Sequence, residues 1–143
     1  MQPIMQPKAA REMHFDGVHC DLKVQRFAGG VVILTISGTD IGEFGGAPME
    51  ELKDCLACCD PIHLFIDARD TRGASIEVSG EWAEWLRANK ADIRSISMLT
   101  GSRFVEVTAG FVRRFAALQG IMRIYTEPAV FDAALAESLA RSD

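Results

Sequence analysis

The chain has no long apolar run. Its most apolar stretch, Val31 to Ile36, is six residues with Thr35 inside it, and a membrane helix needs roughly 20. Membrane insertion is therefore not expected. The segment Met1 to Arg11 has no apolar core flanked by bases, so no secretory signal is read there. An excess of positive charge is also missing. Fifteen basic and twenty acidic residues leave a net charge of −5, which argues against a general affinity for nucleic acid. Sequence signatures of catalysis are lacking too. Ser79-Gly80 follows Val78, without the leading glycine of a Gly-x-Ser-x-Gly elbow. Ile41-Gly42-Glu43-Phe44-Gly45-Gly46 lacks the Gly-Lys-Ser/Thr ending of a phosphate loop, and Glu43 would repel a phosphate. The histidines, His14, His19 and His63, assemble into no triad at the level of sequence. No catalytic residue and no cofactor is expected.

The cysteines number four. Cys55, Cys58 and Cys59 with nearby His63 have a metal-like look, but no second pair completes a tetrahedral site. Cys55 and Cys59 fall on the apolar stripe of a helix with Leu52 and Leu56, where free cysteine behaves as a small hydrophobe. Cys20 is read as core and Cys58 as the more exposed thiol. No metal is expected, and reduced thiols without a secretory signal point to a cytoplasm.

What is present is a globular composition: 143 residues, 48% hydrophobic and 24% charged. That length suits one domain of roughly 100–200 residues. Residues 1–12 carry Pro3 and Pro7 and no periodicity, so they read as a loose tail before a domain spanning 13–143. Val18, Cys20, Leu22 and Val24 alternate with His19, Asp21 and Lys23, the pattern of a half-buried strand. Gly29-Gly30 turns the chain into Val31–Ile36, apolar on both faces and so an inner strand. A glycine-rich loop over 38–46 precedes a helix from Pro48 to about Cys59. Ile62–Asp67 is a strand, and a polar loop over 68–79 leads to a helix from about Gly80 to Lys90. Ile93–Leu99 is the next strand. Arg103–Leu118 is an amphipathic helix expected to bury Phe104, Val107, Phe111, Phe115 and Leu118. A strand over Ile121–Tyr125 and a helix opened by Pro128, with Phe131, Leu135 and Leu139 inward, close the chain. The order ββαβαβαβα implies an α/β domain with a mixed, mainly parallel five-stranded sheet and about four helices.

Ligands in open α/β sheets sit beyond the carboxyl ends of the parallel strands. That places attention on Asp67, Arg69, Asp70, Thr71, Arg72, Ser75 and Ser79. They allow two readings. In one, Ser79 is a helix N-cap, Asp67 caps loop amides, and Arg69 and Arg72 pair with acids. In the other, the loop holds a regulatory phosphoacceptor or rims a ligand site. Trp82, Trp85 and Leu86 likewise either pack their helix on the sheet or wall an apolar pocket or partner surface. Charge is uneven. Gly38 to Asp60 holds six acids against Lys53, and Arg87 to Phe115 holds six bases against Asp92 and Glu106, an asymmetry able to orient a partner.

One set of residues resembles a known family. Leu64-Phe65-Ile66-Asp67-Ala68-Arg69-Asp70 with Gly73, Trp82 and Trp85 resembles the middle of the SpoIIAA-like domains of the STAS group. Ile96-Ser97-Met98-Leu99-Thr100-Gly101 with Arg103-Phe104 resembles their fourth strand and the turn after it. Met122–Thr126 with Phe131-Asp132-Ala133-Ala134-Leu135 resembles their last strand and helix. The likeness spans roughly residues 14–140. It implies a non-catalytic regulatory module that binds a protein partner, a second copy of the chain, or a small apolar ligand. The last follows from the grouping of such domains with CRAL-TRIO lipid-transfer domains. A ligand carrier of that kind predicts a cavity of a few hundred Å3. The phosphorylated Asp-Ser-Ser/Thr-Gly run of the anti-sigma-factor antagonists is missing here. Ser75 and Ser79 lie in the corresponding region without matching it, so a phosphoswitch does not carry over.

Overall fold

The computed structural model describes residues 8–58 and 61–141, the side chain of Cys58 excepted. The expectations for residues 1–7, for the Cys58 thiol and for Cys59 lie outside the described residues. The elements are β1 (Arg11–Asp16), β2 (Cys20–Arg26), β3 (Val31–Asp40), α1 (Ala47–Cys58), β4 (Ile62–Ala74), α2 (Ile76–Asn89), β5 (Ile93–Thr100), α3 (Arg103–Phe115), β6 (Met122–Tyr125) and α4 (Pro128–Arg141), with a 3-10 turn at Lys90–Asp92.

The sheet has six strands in the order β1-β2-β3-β4-β5-β6. β1, β2 and β3 are antiparallel neighbours, and β3 to β6 run parallel. Every parallel step moves to the next strand in the same direction. Right-handed crossovers then put α1, α2 and α3 on one face and leave the other to α4. The inner strands alternate accordingly. Val32, Leu34, Leu64, Ile66 and Ile96 pack with Leu52, Cys55, Leu86, Ala109 and Val112 of the three helices. Val31, Ile33, Phe65, Leu99 and Tyr125 pack around Phe131 of α4.

The strand beyond the expected five is β1. Its residues are almost all exposed, so it has no burial period to read. Backbone pairing and the Arg11 guanidinium hold it. Nε lies 2.5 Å and Nη2 2.8 Å from the two carboxylate oxygens of Glu51 on α1. Arg11 and Glu12 thus belong to the sheet rather than to a tail. Val18, expected on a buried face, is 88% exposed in the β1–β2 turn. At Gly38 (φ +85°) a Cβ would meet the His19 carbonyl at 2.2 Å, so only glycine admits that close crossing.

Two further differences matter for the site. β4 runs on to Ala74, so most of the expected loop over 68–79 is strand. Its last residues pair only with Ser37–Asp40 of β3, past the end of β5, and the free side tolerates polar side chains. α2 begins at Ile76, and its N-cap is Ser75, whose hydroxyl accepts from the Val78 amide at 3.2 Å. Ser79 is already inside the helix. On α3 the buried residues are Val105, Ala109 and Val112. Phe104, Val107, Phe111 and Phe115, expected inside, are 63%, 60%, 51% and 48% exposed. Leu118 is buried as expected. The helix carries two apolar rows, and the row of smaller side chains meets the sheet and α2, where it permits closer approach.

Candidate functional site

The residues singled out around the end of β4 do not form one cluster. Between Thr35 and Ser37 on β3, the opposing residues on β4 advance from Asp67 to Asp70, a bulge that adds one residue. Such a bulge reverses the facing of the residues after it, up to a second register shift opposite Gly38 and Thr39. Asp67 and Arg69 therefore lie on the α4 side. Arg69 donates from its amide and its Nε to Asp67 Oδ1 at 3.2 and 3.0 Å, and its Nη2 donates to Asp132 Oδ1 on α4 at 2.6 Å. Both aspartates hold the arginine guanidinium charged. This is a tie between strand and helix, with the geometry of a structural ion pair. Asp70 and Arg72 are exposed and line a shallow depression with Val18, His19 and Gly38.

Thr71 turns to the opposite face, where its hydroxyl donates to the Ile36 carbonyl at 2.9 Å. There it joins Ser79, Trp82 and Leu86 around a cavity of about 100 Å3 between the sheet, α2 and α3. Leu34, Ile66 and Met98 form the floor, and Ala109 and Val112 of α3 form the roof. That volume is well below the few hundred Å3 expected of a lipid carrier. At the rim lies Asp40, only 6% exposed. Its carboxylate accepts from the Gly42 amide at 3.1 Å and from Trp82 Nε1 at 3.4 Å. Trp82 and Trp85 meet edge to face, with centroids 6.4 Å apart, and are packed against the core. Trp85 does not line this cavity.

Glu43 ties its loop to the β1–β2 turn. Its carboxylate accepts from the Val18 and His19 amides at 2.9 Å each. Burial pushes this carboxyl up, but the hydrogen bonds outweigh it and the net shift is downward. Cys20 and Cys55 are free and buried. Burial pushes their thiols up to about 12 and about 11 respectively, so both stay protonated and unreactive at neutral pH. Among the described residues no group of three His, Cys, Asp or Glu side chains stands where it could hold a metal.

The feature that sequence reasoning misplaced is the outer face of α3. Phe104, Val107, Phe111 and Phe115 form one exposed line, with Phe111 and Phe115 stacked at 6.0 Å. Exposed Arg103 and Arg114 occupy the adjoining row. The signal was in the sequence. Residues 104, 107, 111 and 115 and residues 105, 109, 112 and 116 are both helical rows, and bulk alone favours the first for the core.

No protein-family model matches the chain, and no curated protein sequence does. A solved structure does match. It is an uncharacterized protein of the DUF3478 family with a SpoIIAA-like fold, from Shewanella loihica PV-4. The TM-score is 0.61 at 14% identity, over 85% of this chain and 98% of that one. The chain has a SpoIIAA-like α/β fold. No helix of the described residues is long and apolar enough to cross a membrane.

Proposed function

We propose that the protein is a non-catalytic interaction module of the STAS type that docks a protein partner on the outer face of α3. The observation that carries this reading is the exposed line Phe104, Val107, Phe111 and Phe115. Apolar patches of that kind on a folded domain mark interaction sites. Arg103 and Arg114 beside it favour a partner with an apolar ridge and an acidic rim. A net charge of −5 disfavours an anionic lipid surface. Any control by phosphate in this region falls better on Ser75, at the start of α2, than on Ser79 within it.

The test is a photoreactive benzophenone side chain in place of Phe111, activated inside the cells that make the protein. One dominant protein adduct is expected, reduced about tenfold by Phe115→Ser. Such a loss corresponds to about 1.4 kcal/mol of binding. Adducts with lipid alone, with the chain itself alone, or with nothing would defeat the reading.

A further inference from the structure

The exposed line on α3 constrains the shape of what can lie on it. Phe104, Val107, Phe111 and Phe115 follow one another at helical intervals, so they run along the helix rather than around it. From Phe104 to Phe115 the line extends for roughly 16 Å, or about three turns. Phe111 and Phe115 stack with their planes 22° apart, which gives one end a flat apolar surface. The backbone of α3 beneath these side chains is already paired within the helix. A segment laid on the line therefore meets apolar side chains and no free amide or carbonyl. In an extended segment, the N–H and C=O groups pressed against the rings would lose water and gain no partner. A helix keeps its hydrogen bonds inside and presents side chains alone. Contact kept over about three turns also requires a shallow crossing, near the 20° class of helix packing.

Charge adds a second constraint. Arg103 and Arg114 lie about three turns apart, beside Val107. Both are exposed, and neither pairs with a carboxylate among the described residues. Two unpaired guanidinium groups along one edge of the line are complementary to acidic side chains at the same spacing. A second copy of this chain fits poorly. Two α3 faces packed together would set Arg103 and Arg114 against their own copies.

We propose, resting on the docking reading above, that the partner segment is a single amphipathic helix. Its apolar stripe lies along α3 at a shallow angle for about three turns. Two acidic residues, about eleven positions apart on one edge of that stripe, face Arg103 and Arg114. The experiment places benzophenone at Phe104 in one form of the full chain and at Phe115 in another. Each is activated in the cells that make the protein, and the attached partner peptide is sequenced by mass spectrometry. Both adducts should fall in one segment, with attachment points about eleven residues apart, because roughly 16 Å of helix holds that many. A separation of about five residues is that of an extended segment. It would overturn the helix and leave the docking reading standing, as would attachment to two segments remote in sequence. Absence of any protein adduct from either position removes the docking reading, and this proposal with it. The acidic edge has its own readout. Arg114→Glu should reduce the Phe104 adduct about tenfold, whereas Arg72→Glu, at an exposed position on β4, should leave it unchanged. Equal yields from these two variants would overturn the acidic edge.

Discussion

Arg11 and Glu51 join the edge strand to the first helix, and they do so with one partner almost fully buried. Glu51 is 5% exposed against 44% for Arg11. The hydrogen bonds from Arg11 lower the carboxyl below its usual range, burial opposes them, and the charge of Arg11 adds to the lowering. A carboxyl depressed in the folded state stabilises fully above its unfolded value of about 4.3 and loses that contribution as pH falls through the folded value. Urea unfolding of the natural chain and of Glu51→Gln should therefore differ at pH 7 and converge towards pH 3. A constant gap would remove the ion pair from the account. His63 adds a second slope nearer neutrality. Burial first, then Arg94 and Arg141, hold its imidazole below the ordinary value, while Nδ1 lies 2.7 Å from Ser95 Oγ. Stability from this group is complete above about pH 6.5 and declines as pH drops through the lowered folded value, because the unfolded chain takes the proton first. His63→Asn should flatten that part of the curve. At Ser75, loss of the cap hydroxyl by Ser75→Ala should lower stability by about 1 kcal/mol, whereas Ser79→Ala should change it by less than about 0.5 kcal/mol.

The third helix shows why amphipathic periodicity finds an element but not its rotation. Both of its apolar rows satisfy the helical repeat, and side-chain bulk alone points to the wrong one. The sheet and α2 instead receive Val105, Ala109 and Val112, with Ala116 beyond the helix end. A paired measurement separates the two roles. Phe131→Ala, at a residue with 0% exposure in the α4 core, should lower stability by about 3–5 kcal/mol. Phe111→Ala should change it by less than about 0.5 kcal/mol. Similar losses for both would return Phe111 to the core. The placement of α3 also depends on the turn before it. A Cβ on Gly101 would lie 2.0 Å from the Arg69 carbonyl, so the turn after β5 can close on β4 only without a side chain. Gly101→Ala should destabilise by about 1–3 kcal/mol, as overpacking does, and differential scanning calorimetry would read it. On β4, the bulge after Asp67 leaves no mark in composition. Its effect is to divide a run of polar residues between two faces of the sheet, so Asp67 and Thr71 serve different layers.

At the scale of the molecule, the strands follow one another in sequence order, which gathers three helices on one face and leaves α4 alone on the other. The edges are unsuited to sheet-to-sheet pairing. β1 carries Arg11, Glu12, His14 and Asp16, and β6 is four residues long. The proposed contact with another protein would thus fall to the helices, where the α3 row is exposed. The order of elements, the α/β class, the buried cysteines and the inward residues of α1 and α4 were legible in the sequence, because each depends on local periodicity and on turn residues such as Gly30, Pro48 and Pro128. Three things were decided only in three dimensions. The edge strand β1 is held by pairing and one ion pair, with no apolar period to announce it. The two faces of the candidate site were set by two register shifts of β4 against β3. The row of α3 left outside was chosen by fit against the sheet, since sequence states how apolar a side chain is, whereas packing geometry determines which apolar side chains find neighbours.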